Sequence, residues 1–332
     1  MSTYTTSFPV ASGGTLYPVG GVSNTLGQTG FIPEIWSGKL VEKFYASTVL
    51  AAISNTDYEG EIKNQGDKVR IRTKPTITIS DYQADMALAL QRPSGNVLDL
   101  LIDKGKYFNT ILDDVMDVQS DLNMLSMWSD DAAEQMKIQI DTAVLAAMKD
   151  QATVTTNRGA TAGRISAAIN LGVSSTGPLA IVARSPAAGK VEILDAILRL
   201  GQTLDEQNIP ETGRWVVLPT WAATLIKMSE LREAYLSGDA TSILRNGRIG
   251  MVDRFTLYTS NLLPAGTTAG LIAGEYLIYA GHAHGLTFAS QMTKMETMRS
   301  EQTFGTIMRG LQVFGHKVVD GTALAQAVVT VG

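Results

Sequence analysis

From Lys106 to Arg158 the chain contains neither glycine nor proline, the two residues that most often punctuate a fold. From Val118 onward, apolar or small residues fall at Leu122, Leu125, Trp128, Ala132, Met136, Ile140, Ala143 and Ala147, always three or four apart. Asp113, Asp114 and Asp117 cluster where a helix dipole favours negative charge, and Lys149 lies near the far end. The spacing predicts one unbroken helix over about 113–150, a rod of roughly 50 Å at ~1.5 Å per residue. Ordinary helices are about a third as long. Leu122, Trp128, Met136 and Ile140 are the side chains expected to seat this spine on a neighbouring sheet.

What precedes the rod cannot support itself. Residues 1–30 are rich in Gly, Ser and Thr and lack the apolar content of a folded unit. Phe31–Ser54 reads as a helix that starts near Pro33. Val69, Ile71 and Thr73 then alternate with Arg70, Arg72 and Lys74, the period of a strand with one apolar and one cationic face. A second extended run, Val97–Ile102, follows a turn at Arg92-Pro93-Ser94-Gly95. The region 57–107 is thus expected to be a long two-stranded arm. An isolated hairpin is marginal in water, so the arm must lie on its own core or on another subunit.

After the rod, Thr153–Ala188 is polar and rich in small residues, expected as a hairpin or flap. An α/β pattern follows. Val191–Leu204 has helical spacing, Trp215–Leu218 reads as a buried strand stopped by Pro219, and Trp221–Met228 as a short helix. Ile249–Tyr258 and Leu271–Tyr279 read as strands. Extended segments return at Leu286–Ala289, Thr303–Phe314 and Lys317–Val319, before the tail ALAQAVVTVG.

Composition narrows the chemistry. The 332 residues carry a net charge of −5 and a pI near 5.3, without the basic balance of a protein that grips nucleic acid. There is no cysteine, hence no disulfide, thiolate metal site or cysteine nucleophile. No apolar run reaches the ~18 residues of a membrane span, and no signal peptide is evident at the start. His282-x-His284 is the one close histidine pair, with Glu275 a distant third ligand, and a polar glycine-flanked loop explains it better than a metal. The patterns G-x-S-x-G and H-E-x-x-H are missing. Asp113-Asp114 and Asp130-Asp131 fit a helix start and a solvated face. No catalytic residue, cofactor or metal is expected. Arg70, Arg72 and Lys74 face either carboxylates on another copy or solvent at a protected edge, with nucleic acid a weaker third reading. Arg92 joins them as a candidate inter-subunit contact.

Four collinear segments resemble one family. FIPEIWSGKLVEKFYASTVLAAIS, GDKVRIRTKPTITISDY, LDAILRLGQTLDEQNIPETGRWVVLPTWAATLI and GLQVFGHKVVDGTALAQAVVTVG are similar, in that order, to parts of the major capsid proteins of tailed bacteriophages, with the Hong-Kong-97-type fold. The resemblance implies an α+β chain with an N-terminal arm (1–30), a helix (31–56) leading to an E-loop hairpin (57–107), and a peripheral domain (108–188) holding the spine helix. An α/β axial domain (189–281) and strands returning to the peripheral domain (282–332) would complete it. It implies a structural protein rather than an enzyme, one that assembles with itself as hexamers and pentamers into an icosahedral virion shell around double-stranded DNA. A separate scaffolding protein and a portal are the expected partners, with weak nonspecific DNA contact and no membrane; a decoration or cement protein is left open. Assembly is expected in the host bacterial cytoplasm. Lys63, Lys68 and Lys74 lie in the E-loop, yet nothing marks one for crosslinking. An encapsulin-type nanocompartment shares the fold and stands as the alternative. A soluble α/β enzyme is the alternative of another class.

Overall fold

The computed structural model describes residues 45–57, 68–75, 77–95, 97–119, 123–153, 155–184, 187–229 and 250–332. The expected N-terminal arm, most of the helix at 31–56, and Leu122 and Lys63 lie outside the described residues. The elements in chain order are α1 (Leu50–Ile53), β1 (Lys68–Arg72), β2 (Val97–Leu101), β3 (Lys104–Asp113), α2 (Asp114–Gln119) and α3 (Met124–Ala147). Then come β4 (Leu179–Val182), β5 (Lys190–Glu192), α4 (Ile193–Glu206), β6 (Arg214–Leu218) and α5 (Thr220–Met228). Short strands β7 (Met251–Val252) and β8 (Phe255–Thr259) lead to β9 (Glu275–His282), β10 (Leu286–Arg299), β11 (Gly305–Val318) and β12 (Leu324–Val331).

The described strands form three sheets: the hairpin β1-β2, a three-stranded sheet β10-β11-β3, and a seven-stranded sheet β5-β4-β12-β9-β6-β8-β7. Helices α4 and α5 cover one face of the large sheet. Ile193, Ile197, Leu200 and Leu204 meet Val216, Leu218 and Phe255 there in one buried cluster. On the other face Trp215, Val217 and Tyr279 bury against Ile140, Val144, Leu145 and Met148 of the α3 region, with Phe314 of β11 in the same cluster. The long helix therefore touches both larger sheets. Tyr279 fixes the contact by donating to the Leu145 carbonyl at 3.0 Å.

The rod is shorter than expected. β3 stays extended to Asp113, which pairs with Gly305 of β11. Asp113 then accepts from the Val115 N–H, opening α2. Asn123 caps α3 by accepting from the Ser126 N–H, so the helix has 24 residues, about 36 Å at ~1.5 Å per residue. Strand pairing takes only Asp113 from the expected rod, and the Asn123 cap sets a fresh start for α3 after α2.

The terminal strand also departs from expectation. β12 does not join the three-stranded sheet; it lies inside the large one, parallel to β4 and antiparallel to β9. The α/β sheet thus draws strands from both sides of the 189–281 segment. Between α3 and β4, where a hairpin or flap is expected, the chain follows an irregular path with isolated bridges at Ala162–Ile169 and Val173–Gly177. Fully buried Asn157 holds it, donating to the Thr322 and Leu324 carbonyls at 2.7 Å each while accepting from Gln207. Gly172, with φ +79°, lies where a Cβ would come 2.2 Å from the Val328 carbonyl oxygen, so no other residue fits.

Candidate assembly surfaces

The hairpin β1-β2 follows the alternation read from sequence. Ile71 and Leu100 are buried with Ile102 and Ala289, and Val69, Leu98, Val313 and Val319 pack around them. This apolar side binds the hairpin base to the three-stranded sheet. The opposite side carries Arg70, Arg72 and Lys74, all exposed. Arg70 lies opposite Asp99 in the ladder, with a nitrogen–oxygen distance of 3.6 Å, so one of the three cations finds its carboxylate within the same hairpin. Such an exposed pair contributes ~0–1 kcal/mol. Arg72, Lys74 and the exposed Arg92 form no ion pair among the described residues.

Beyond Arg72 the two limbs leave the ladder. Residues 77–95 are exposed throughout, including Ile79 at 88% and Leu90 at 98%. A two-pronged contact joins the limbs: Gln91 accepts from the Thr78 N–H at 3.1 Å and donates to the Thr78 carbonyl at 2.8 Å. A side chain here imitates a strand partner, a role sequence reading missed, since a lone Gln between Leu90 and Arg92 carries no signal of it. Apolar side chains held out on an open loop mark an interaction surface rather than a core.

The chain crosses tightly where the hairpin meets the sheet. A Cβ on Gly315 would lie 2.1 Å from the Leu101 carbonyl oxygen, so only glycine lets the backbones approach. Next to it, His316 has a buried Nδ1 without a hydrogen-bond partner. Burial pushes its pKa from 6.5 down to about 4, helped by Lys104 and Lys317 and opposed by Asp103. A depressed histidine favours the neutral form in the fold, so its contribution is intact above ~6.5 and is lost as pH falls from there toward 4. We expect His316→Gln to flatten the loss of subunit stability over that window by on the order of 2 kcal/mol, its partial exposure allowed for. Unfolding midpoints measured at pH 7 and pH 4.5 check this, and an unchanged pH slope would count against it.

Of the residues expected to seat the spine, Ile140 is buried between the two sheets. Met136 packs against the same cluster, and Trp128 is half-buried and belongs to no buried cluster. Sequence reading missed Asp141, one residue on. It is buried and accepts from the Val49 N–H at 2.7 Å, tying the start of α1 to the spine. Burial raises its pKa, while the N–H groups of Val49 and Leu50 pull it back. His282 and His284 do not converge on a site: His282 Nδ1 accepts from the His284 N–H, and Glu275 is engaged with Ser174, Ser175 and Ile272. No cluster of three or more possible metal ligands occurs among the described residues.

A hairpin arm on a small sheet, a helix bridging to an α/β lobe, and apolar side chains offered outward together describe a building block. The family model described as phage capsid protein matches residues 100–327. The chain belongs to the phage capsid protein family. Among solved structures, one titled Mycobacterium phage Che8 is similar, at 26% identity and TM-score 0.71, with 90% of this chain and 97% of that chain covered. The capsid of cyanophage P-SCSP1u matches at 15% identity and TM-score 0.69, covering 91% of this chain and 94% of the other. The capsid of a native GTA particle matches at 13% identity and TM-score 0.63, covering 94% and 100%. No curated protein matches the chain. The fold is the Hong-Kong-97-type capsid fold and the chain is a structural major capsid protein, a virion component that assembles with itself. The encapsulin and enzyme alternatives gain no support from these likenesses.

Proposed function

We propose that this capsid subunit closes an icosahedral shell of hexamers and pentamers around packaged double-stranded DNA. The observation that carries the proposal is the fully exposed loop 77–95, whose apolar side chains have no place in the subunit's own core and need the cover of a neighbouring subunit. In this reading 57–107 is the E-loop, the β10-β11-β3 sheet with α3 is the peripheral domain, and the lobe around α4 and α5 is the axial domain. Arg72, Lys74 and Arg92 are left to meet carboxylates across the subunit boundary. The net charge of −5 suits a container that must not hold its cargo tightly. Catalysis has no part in this role. Assembly takes place in the host cytoplasm with a separate scaffolding protein and a portal.

Negative-stain electron microscopy of the purified protein tests the reading, with and without co-expressed phage assembly proteins. Closed particles of uniform diameter are expected. Discrete monomers or small oligomers across salt and pH, even in the presence of those partners, would overturn it.

A further inference from the structure

A cavity of about 360 Å³ opens where the end of α3 meets β12 and the irregular path between α3 and β4. Lys149, Asp150, Arg158 and Gln326 line it, together with Thr155 and Thr161. Two of these residues hold an unusual backbone, Asp150 at φ +62° and Thr155 at φ +67°. A β-branched residue rarely takes that conformation, which persists only where the surroundings over-determine it. Here they do. Gln326, buried in β12, accepts from the Asp150 N–H at 2.8 Å and donates to Asp150 Oδ1 at 3.4 Å. The Gln326 N–H in turn donates to the Asn157 carbonyl at 3.1 Å. Asp150 and the stretch carrying Arg158 are thus both held to one strand.

The clamped carboxylate lies between two cations. Lys149 Nζ is 3.3 Å from Asp150 Oδ2, and Arg158 Nη1 pairs with Oδ1. The two cationic side chains are 18% and 23% exposed, so water screens them only in part. Neither has another hydrogen-bond or ion-pair partner among the described residues. Glu275, whose charge Lys149 also feels, is occupied by the Ser174 hydroxyl and the Ser175 and Ile272 N–H groups. The wall therefore offers two cations to one carboxylate, in a chain whose net charge is −5. Unused donors remain on the arginine fork, on the ammonium and on the Thr155 and Thr161 hydroxyls.

We infer that this cavity binds a phosphoryl anion through Arg158 and Lys149, with Asp150 and Gln326 as the residues that position them. A planar carboxylate is filled by one arginine fork. A phosphoryl group has three oxygens to share among fork, ammonium and hydroxyls, which is the donor set present. The cavity is larger than a bare phosphate, and Val173 and Val328 give an apolar wall to whatever the phosphoryl group is attached to. Two sources carry this chemistry, a free phosphate ester and the backbone of DNA. The site belongs to the single subunit and does not depend on how subunits join.

Calorimetric titration of the full-length chain tests the inference. Deoxyadenosine monophosphate is expected to bind saturably, and deoxyadenosine, which lacks the phosphoryl group, not at all. Arg158→Gln should weaken the nucleotide about tenfold or more, the loss of one charge-assisted bond. Because that change also takes a partner from Asp150, a second variant guards against a folding defect. Thr161 is exposed and its side chain has no partner, so Thr161→Glu sets a competing carboxylate at the cavity without disturbing the fold. It should lose the nucleotide to a similar degree, while the neutral Thr161→Gln keeps most of the affinity. Circular dichroism checks that each variant is folded. A short DNA duplex without terminal phosphates separates the sources: displacement of the nucleotide names the DNA backbone, and undisturbed binding names a free ester. No binding of the nucleotide, equal binding of the nucleoside, or wild-type affinity in both Arg158→Gln and Thr161→Glu would overturn the inference.

Discussion

Replacing Arg214 with leucine is expected to lower subunit stability by about 3–5 kcal/mol through the α/β lobe. The Arg214 side chain is fully buried at the start of β6. Its guanidinium donates to the Ile209 carbonyl at 2.6 Å and the Pro210 carbonyl at 2.9 Å, and meets Asp205 at 2.7 Å. Asp205 is shared with Arg254, which also pairs with Glu211. One planar fork thus closes the turn that carries the chain from α4 into the large sheet. Leucine cannot satisfy the two backbone carbonyls left behind, and their desolvation is what the substitution loses. Lysine keeps the charge without the fork, so Arg214→Lys should fall between leucine and the wild type. Chemical denaturation of unassembled subunits checks the order. A shift within ~0.5 kcal/mol for leucine, the range of an ordinary surface change, would show that the fork is dispensable.

Replacing Asp81–Gly95 with a short Gly–Ser turn is expected to have the opposite profile: folding unchanged, assembly abolished. All fifteen residues are exposed, and none belongs to a buried cluster. Their removal takes away Gln91, Arg92 and the apolar side chains Leu88 and Leu90 without opening a cavity. Circular dichroism and thermal unfolding should match the wild type, while sedimentation and electron microscopy should show no closed particles. Particles of normal diameter from this variant would mean that the loop does not clamp neighbours together.

These two predictions draw on features that differed in how readily the sequence betrayed them. The strand at Val69–Thr73 was legible because one residue type alternates with another at period two, and burial follows that alternation from Ile71 to Arg72. The buried run Trp215–Leu218 was legible for a similar reason, with Pro219 marking its end. β3 was not legible. Its sequence, KGKYFNTILD, has no clean alternation, and what holds it extended is β11, far along the chain. The helix after it is shorter than its spacing implies, because an Asn inside a continuous apolar pattern does not announce that its side-chain oxygen caps a fresh start. Of the assembly surface, the cationic strip was visible. The Gln91 clasp was not, because it depends on two limbs coming close enough for a side chain to take the place of a backbone. Arg214 stands in one of the segments that carry the family resemblance, and nothing in its neighbours announces that three acceptors surround it.

The placement of β12 has a consequence for timing. Among the described strands it is the last in sequence, yet it joins β5-β4 on one side to β9-β6-β8-β7 on the other. Until those eight residues emerge from the ribosome, the lobe exists as two partial sheets with unpaired edges and a divided apolar layer. Completion of the lobe therefore waits on β12. A chain without β12 has no finished lobe to offer a growing shell, so the order of strands along the polypeptide keeps assembly behind the making of that strand.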